Sequence, residues 1–395
     1  MKKAKVVMAI AFCLLLIGTL VYPGKARADF GFNQIPKIKV LTWNVYIGFD
    51  VFALLGSDDL ETDIAVALLQ LLKSNFPARA QAMAKQLIFN PPELIALQEV
   101  WRAEIPLLPL PPGIPNPTPV TVDYSEILEL VLGSLGYVKV AENELTDISI
   151  DLETGIDSAT VTLRILDRDV IFVKSDITVH STNSFDYENI FKTFLPFPSE
   201  NEPTLIESKR GLVEAVIEKD GFVCRFVNTH LEVGELPAVT FTLSGPEISS
   251  DPAQVLQARE LVTYLDGETS DDDIIPIILA GDLNAQPTDE VSAILDVAGL
   301  TDMYPRRIFN RWDPGDTCCQ NEDLLNRFSL LDQRIDYIRV RNDNGELPFT
   351  LAVPLVARVI GDRIIDKTNT DPRLWPSDHG GLRMTLVIPP VGDAY

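Results

Sequence analysis

Residues 274–287 read Ile-Ile-Pro-Ile-Ile-Leu-Ala-Gly-Asp-Leu-Asn-Ala-Gln-Pro. Ile274 to Ala280 is a near-continuous apolar run. That is the pattern of a strand buried on both faces, because a strand with one wet face alternates instead. Helical periodicity flanks it. Pro252 to Leu265 opens with an Asp-Pro start that suits a cap and first turn, and Glu290 to Ala298 follows the strand. A doubly buried strand between two helices predicts a layered α/β protein.

The same reading extends outward. Short apolar runs predict strands at Ile38–Thr42, Leu94–Gln98, Val170–Val173, Leu212–Val216, Val223–Val227, Ile335–Val340 and Leu382–Ile388. Helical spacing predicts helices at Asp63–Leu72, Ala78–Leu87 and Tyr124–Leu135. Several strands follow one another with no helix between them, so the sheets are expected to be mixed. Leu107 to Val120 holds six prolines in fourteen residues, which excludes helix and central strand and predicts an extended loop. Ser181 to Pro203 is rich in loop formers and reads as a second long connection. Neither insertion divides the chain, because polar strand-end motifs lie on both sides of both.

The chain has 395 residues, 46% apolar and 23% charged, a globular composition with ample core. Its formal net charge of −24 excludes a basic nucleic-acid-coating protein. Lys2, Lys3 and Lys5 precede an uncharged apolar run from Val6 to Val21, then Pro23-Gly24 and Ala26-Arg27-Ala28. This is the pattern of a secretory signal peptide over residues 1–28, leaving a catalytic domain at 29–395 that begins at Asp29. The run is short of the roughly 20 residues needed to span a bilayer. Export to the periplasm or medium is therefore expected. Cys13 leaves with the leader, and Cys224, Cys318 and Cys319 do not make a disulfide framework. The adjacent pair either closes a vicinal disulfide or stays as two thiols in a loop.

Polar residues cluster where strands end. Trp43-Asn44-Val45 follows the first strand and Gln98-Glu99-Val100 the second. Asn228-Thr229-His230-Leu231 and Gly281-Asp282-Leu283-Asn284 follow two others. Arg334-Ile335-Asp336-Tyr337 opens a strand, and Ser377-Asp378-His379 precedes the last. Strand ends in α/β sheets form crevices where ligands bind. The chain has three histidines, and two of them, His230 and His379, fall inside these motifs. His180 lies in none and reads as structural.

Taken in order, LTWNV, LIALQEV, NTHL, AGDLNAQP, RIDYI and SDH resemble the endonuclease/exonuclease/phosphatase superfamily, from Val40 to about Leu386. That superfamily includes pancreatic-type deoxyribonucleases and bacterial neutral sphingomyelinases. Gly315 to Gln320 and Trp375-Pro376 resemble a group of its secreted bacterial members. The resemblance implies a four-layer α/β/β/α sandwich of two mixed sheets flanked by helices. It also implies a metal-dependent phosphodiesterase that hydrolyses its ester by in-line attack of an activated water.

The residue chemistry agrees. A phosphodiester is anionic, so its hydrolysis needs a hard cation and donors aimed at developing charge. Mg²⁺ takes oxygen ligands and keeps several waters, so one or two carboxylates suffice, with Mn²⁺ or Ca²⁺ as substitutes. Glu99 is the expected ligand with Asn44 beside it, and the resemblance adds Asp378. It also implies that Asp336 orients His379, which activates water or stabilises the phosphoryl group, and that His230 donates to the phosphate. Asp282 and Asn284 alternate at a strand end, so both are expected on one face, the acid for water and the amide for a phosphoryl oxygen. Arg168 and Asp169 either reach the site or belong to a solvated turn.

Loops choose the substrate on such a fold. Acidity disfavours nucleic acid, since phosphate polymers bind through clustered Lys and Arg, and the basic pairs Lys209-Arg210 and Arg306-Arg307 are short. The proline-rich loop either offers Leu and Ile for shallow contact with a membrane surface, which would suit a phospholipid such as sphingomyelin, or packs over its own domain; a monomer is expected. The alternatives are a secreted DNA or RNA endonuclease and a catalytically silent binding protein on the same fold. The last would show lost motif residues, and all eight candidates are present.

Overall fold

The computed structural model describes residues 37–49, 60–105, 120–153, 160–195, 204–234, 236–242, 245–267, 275–306, 312–341 and 354–387. The expected leader and the proline-rich loop up to Pro119 lie outside them.

Period-two burial builds the first sheet. It runs, in spatial order, β17 (Pro354–Ile360), β18 (Gly381–Val387), β1 (Lys37–Asn44), β2 (Leu94–Gln98), β6 (Thr160–Lys174), β3 (Arg102–Ile105) and β4 (Val120–Asp123), with β5 (Tyr137–Glu153) also paired to β6. On β1, Ile38 and Val40 point one way and Leu41 and Trp43 the other, and both sets are buried. The second sheet runs β15 (Thr301–Asp302), β16 (Asp336–Arg341), β14 (Ile277–Asp282), β11 (Phe222–His230), β10 (Gly211–Lys219) and β7 (Thr178–Asp186). Two ribbons, β8 (Phe191–Leu195) with β9 (Thr204–Ser208) and β12 (Pro237–Thr242) with β13 (Gly245–Pro252), complete the strands among the described residues.

The sheets face each other across a core that includes Val40, Ala96 and Ile171 from one and Phe226, Ile278 and Ile338 from the other. Helices α1 (Leu60–Lys73), α2 (Phe76–Leu87) and α3 (Tyr124–Gly133) cover the outside of the first sheet. Helices α4 (Ala253–Gly267) and α5 (Glu290–Val297) cover the second, where Leu279 meets Leu261 and Leu295. This is the expected α/β/β/α sandwich. It explains the unbroken apolar run in β14: Ile278 and Ala280 face the other sheet, while Ile277 and Leu279 face helices.

Both sheets are mixed. β1 and β2 pair in parallel, as do β11 and β14. A parallel pair needs a crossover, and α1 with α2 supplies the first while α4 supplies the second.

The expected strand at Ile274 begins at Ile277, since Pro276 cannot donate to a ladder and its carbonyl accepts from Arg225 N instead. Helix α4 starts at Ala253 because Pro252 ends β13. The reading of Ser181 to Pro203 as a connection is corrected, because β7 runs to Asp186 and β8 occupies Phe191–Leu195. β7 is an edge strand that is largely exposed, so its residues are polar and carry no buried period. Among the described residues no helix is long and apolar enough to cross a membrane.

Candidate active site

Strand register assembles the site. Asn44, the last residue of β1, lies opposite Gln98, the last of β2. His230 ends β11 opposite Asp282, which ends β14, and Asp282 lies opposite Asp336, which opens β16. Gly281 permits this pairing, because a Cβ there would fall 2.0 Å from Thr229 O. Just beyond three of these ends the chain turns left-handed, with φ of 60° at Tyr46, 58° at Glu99 and 50° at Asn284. Non-glycine residues avoid this region, and such strain concentrates at functional sites. Asn284 therefore reaches the site through a turn and not, as expected, by strand alternation: β14 stops at Asp282, and Asn284 N donates to Asp282 Oδ1 at 2.9 Å.

Asn44 couples the two sheets. Its Nδ2 donates to Glu99 Oε1 (2.8 Å) and to Asp282 Oδ2 (3.0 Å), while its Oδ1 accepts from Tyr46 N (3.0 Å). The amide nitrogen, not the oxygen, faces the acids, so Asn44 orients Glu99 and Asp282 in this arrangement. Ile47 N and Trp101 Nε1 donate to the other Glu99 oxygen at 3.2 and 3.3 Å. Below, Gln98 Nε2 donates to Asn228 Oδ1 at 2.6 Å, and Asn228 Nδ2 donates back to Leu97 O and Val170 O, so the sheets are tied together under the site.

The two histidines flank Asp282, whose Oδ2 is 3.8 Å from both His230 Nε2 and His379 Nδ1. Their surroundings differ. His379 Nδ1 is 2.9 Å from Asp336 Oδ2. Burial disfavours its charge, but Asp336, Asp378 and Asp282 together outweigh that and hold its pKa well above the ordinary histidine value. His230 Nδ1 is 2.8 Å from Arg210 Nη1. A guanidinium has only donors, so Nδ1 accepts and the neutral ring carries its proton on Nε2. Burial first, then Arg210 and His379, hold the His230 pKa well below the ordinary value. Asn284 Nδ2 lies 3.1 Å from His230 Nε2 and also donates to Leu231 O. Two N–H donors thus stand side by side, an arrangement that suits one anionic oxygen.

Glu99, Asp167, Asp378 and Arg210 line a cavity of about 240 Å³ with Tyr46, Trp101 and other apolar side chains. Arg210 also pairs with Asp167 (3.3 Å) and with Glu232 (3.5 Å). Burial pushes Asp167 up to about 7 in spite of Arg210. Burial also raises Asp378, with Glu99 adding to it against the pull of His379. Asp282 is raised by burial and by Asp336. Arg210 and His379 offset only part of the negative charge of these carboxylates, and a hard divalent cation suits the remainder. Glu99 and Asp378 fit such a cation through oxygen donors. Asp282, Asp336 and His379 offer a second set with ligand atoms within 4.8 Å of one another, but His379 Nδ1 is already engaged by Asp336.

Other residues hold these groups in place. Arg79 on α2, fully buried, donates to Val45 O, Tyr46 O and Pro376 O, which joins the turn after β1 to the segment before Asp378. Ser377 Oγ donates to Asn44 O, and Thr317 Oγ1 accepts from Asp336 N. Gln320 N donates to Asp378 O and Gly380 N donates to Thr317 O, so the loop bearing Cys318 and Cys319 is clamped on both sides of His379. Those cysteines are joined as a vicinal disulfide.

All eight expected residues, Asn44, Glu99, His230, Asp282, Asn284, Asp336, Asp378 and His379, lie around this one crevice. Arg168 does not reach it: its guanidinium is bound to Asp123 at the cap of α3 and to Val100 O. Asp169 is fully buried, and neither carboxyl oxygen has a partner among the described residues. Asp167, two residues earlier, lines the cavity instead. His180 pairs with Glu218 on the surface, in keeping with a structural role. Arg210 and Arg79 were not foreseen as site residues. Lys209-Arg210 reads as a basic surface pair in sequence, and Arg79 sits in an ordinary amphipathic helix.

The model of the Endonuclease/Exonuclease/phosphatase family matches residues 41–379 of this chain. Among solved structures, an endonuclease/exonuclease/phosphatase family protein from Bacteroides thetaiotaomicron is similar at 16% identity and a TM-score of 0.50, covering 90% of this chain and 99% of that one. The mannosyl-6-phosphatase of the same organism is similar at 14% identity and a TM-score of 0.50, covering 89% and 100%. At these identities the likeness is one of fold. No curated protein matches the sequence significantly.

Proposed function

Because the chain belongs to the Endonuclease/Exonuclease/phosphatase family, whose members hydrolyse phosphoester bonds, we propose that it is a secreted, metal-dependent phosphodiesterase acting on a phospholipid such as sphingomyelin. One observation carries the chemical part: two histidines of opposite character stand 3.8 Å from the same Asp282 oxygen, beside the Glu99 and Asp378 carboxylates.

Roles follow from charge. Glu99 and Asp378 would hold Mg²⁺, or Mn²⁺ or Ca²⁺ in its place, and Asn44 orients Glu99. Bound there, such a cation would supply Lewis-acid charge to the reaction. Asp282, more basic than an ordinary carboxylate, takes a proton from the attacking water. His379 is protonated and held by Asp336, so it stabilises the charge that builds on the phosphoryl group. His230 and Asn284 donate N–H groups to another phosphoryl oxygen. A monomer is part of this proposal.

Two features support a lipid substrate. The cavity walls include Phe49, Ile148, Phe191 and Ile206. The loop preceding β16 also exposes Leu325, Phe328 and Leu330, and Glu322 in that loop accepts from Tyr46 Oη at the cavity. Shallow insertion of such side chains suits an interface, while the net charge of −24 disfavours a DNA or RNA backbone.

The test is release of headgroup or product from sphingomyelin vesicles, phosphatidylinositol phosphates, plasmid DNA and bis-p-nitrophenyl phosphate, with Mg²⁺ or EDTA. Headgroup release that EDTA abolishes is expected. DNA cleavage without headgroup release would replace this reading with a nuclease, and a folded protein inert toward the whole panel would leave a silent binding protein. Glu99→Gln is expected to lower turnover about 10²-fold or more, with partial recovery at higher Mg²⁺. For export, expression in a bacterium with residues 1–28 present should give a soluble product starting at Asp29 by mass spectrometry. Retention of Met1 on membranes would reject cleavage.

A further inference from the structure

A larger cleft of about 760 Å³ lies at the β17–β18 edge, walled by the end of α2 and by residues 362–369. None of its lining residues belongs to the site above. Its charge is unusual for a chain of net charge −24. Arg358 on β17 lies directly opposite Arg383 on β18 in the antiparallel register. Like charges directly opposite each other on one sheet face repel, and sheets ordinarily avoid the pairing. Lys85, from the last turn of α2, lines the same space.

None of these three cations has a carboxylate partner among the described residues. Arg383 donates one nitrogen to Gln86 O (3.3 Å) and Asn90 O (3.2 Å), which fixes its position without neutralising it. Burial, then Arg358 and Arg363, make the Arg383 charge harder to hold than usual. Of the acids that line the cleft, Asp366 is paired with Arg363 at 3.2 Å, while Asp313 and Asp362 share the space with the cations, so the cations outnumber the acids without excluding them. The rim is apolar: Phe89 is 96% exposed and Ile365 is 78% exposed. Phe89 therefore offers an uncovered ring face at the edge of a cleft that holds these cations.

We propose that this cleft is a second ligand site, separate from the catalytic crevice, which binds a small phosphorylated molecule carrying a flat apolar ring. Arg358, Arg383 and Lys85 contact the phosphate, and the ring lies on Phe89. An anion between Arg358 and Arg383 turns a repulsive cross-strand pair into two charge-assisted hydrogen-bond donors. This inference does not depend on which ester the catalytic site cleaves.

The probes are adenosine monophosphate and inorganic phosphate, titrated calorimetrically into the intact, metal-loaded protein. Adenosine monophosphate should bind this cleft at a saturable site that persists in Glu99→Gln protein, apart from any binding to the catalytic crevice, and more tightly than phosphate. Arg358→Gln and Lys85→Gln should each weaken it about tenfold or more, as loss of a charged donor does. Phe89→Ser should remove its advantage over phosphate. Glu99→Gln should leave the affinity unchanged, and Arg358→Gln should leave turnover unchanged. Arg358 is exposed on an edge strand, so its replacement should fold, and it should melt at or above the wild-type temperature once the repulsion is gone. Failure of both probes to saturate the protein at millimolar concentration would overturn the proposal. So would binding that survives Arg358→Gln and disappears with Glu99→Gln, because the anion would then occupy the catalytic crevice.

Discussion

Asp336 Oδ2 stands 2.9 Å from Nδ1 of His379, a contact between residues 43 apart in sequence. Asp336 is fully buried, and its other oxygen has no partner among the described residues, so the carboxylate serves His379. A carboxylate on one ring nitrogen fixes the orientation and favours the charged ring. His379→Ala should lower turnover by about 10²–10⁴-fold. Asp336→Asn should account for a large part of that loss, and the double variant should be little worse than His379→Ala, because residues acting as a unit are not additive. Losses that multiply would separate the two residues and make Asp336 an independent structural or metal-binding group.

The histidines should titrate in opposite directions. His379 has a raised pKa and His230 a lowered one. Nitrogen NMR of the imidazoles should find His379 still protonated above pH 6.5 and His230 still neutral below it. The stability consequences have opposite signs. The contribution of His379 is complete below its unfolded value of about 6.5 and is lost as pH rises through its raised pKa. That of His230 is complete above about 6.5 and is lost as pH falls toward its lowered pKa. Melting temperatures of His379→Gln and His230→Gln, measured against wild type across pH, should show these opposed trends. Parallel profiles would mean that the two rings share one environment.

Much of this site was legible in the sequence because short polar motifs terminate apolar strands. A strand end fixes position, and residues such as Asn44, Glu99 and Asp282 are costly there unless they meet partners. The doubly buried run of β14 gave the layer order for the same reason. What stayed hidden depends on distant neighbours. Arg210 follows Lys209 at a strand start, and only the pairing of β10 with β11 places it beside His230. Arg79 becomes a clamp because α2 packs over the turn after β1. β7 shows no buried period because it lies at an edge, and the turn at Asn284 breaks the alternation that its spacing suggests.

Arg210 sets the state of His230 through a 2.8 Å contact that permits one tautomer. Arg210→Met would free Nδ1 and leave Asp167 and Glu232 without their cation. The His230 pKa should rise, its Nε2 tautomer should no longer dominate in the nitrogen spectrum, and turnover should fall by about 10²-fold. Arg210→Lys should recover part of the rate but not the single tautomer, since an ammonium lacks the fixed fork of a guanidinium. An unchanged His230 spectrum in Arg210→Met would show that another group selects the tautomer.

Arg79 should be as important to the fold as to the site. It is fully buried, has no carboxylate partner among the described residues, and donates to Ser74 O, Val45 O, Tyr46 O and Pro376 O at 2.7–3.1 Å. Phe76 and Tyr124 stack beneath it, the Phe76 ring centre 4.9 Å from the guanidinium carbon. Arg79→Met keeps much of the volume and removes the donors, leaving buried carbonyls unpaired. Several lost bonds of this kind should cost about 3–5 kcal/mol, visible as an earlier denaturant midpoint. The same change loosens the turn that carries Ile47, a donor to Glu99, and the segment that carries Asp378. The Mg²⁺ concentration needed for half-maximal activity should therefore rise in the fraction that folds. Arg79→Lys reaches fewer carbonyls and should fall between the two. A midpoint and Mg²⁺ requirement both unchanged in Arg79→Met would show that the carbonyls find other donors, and that the clamp across the two loops is not what positions the carboxylates.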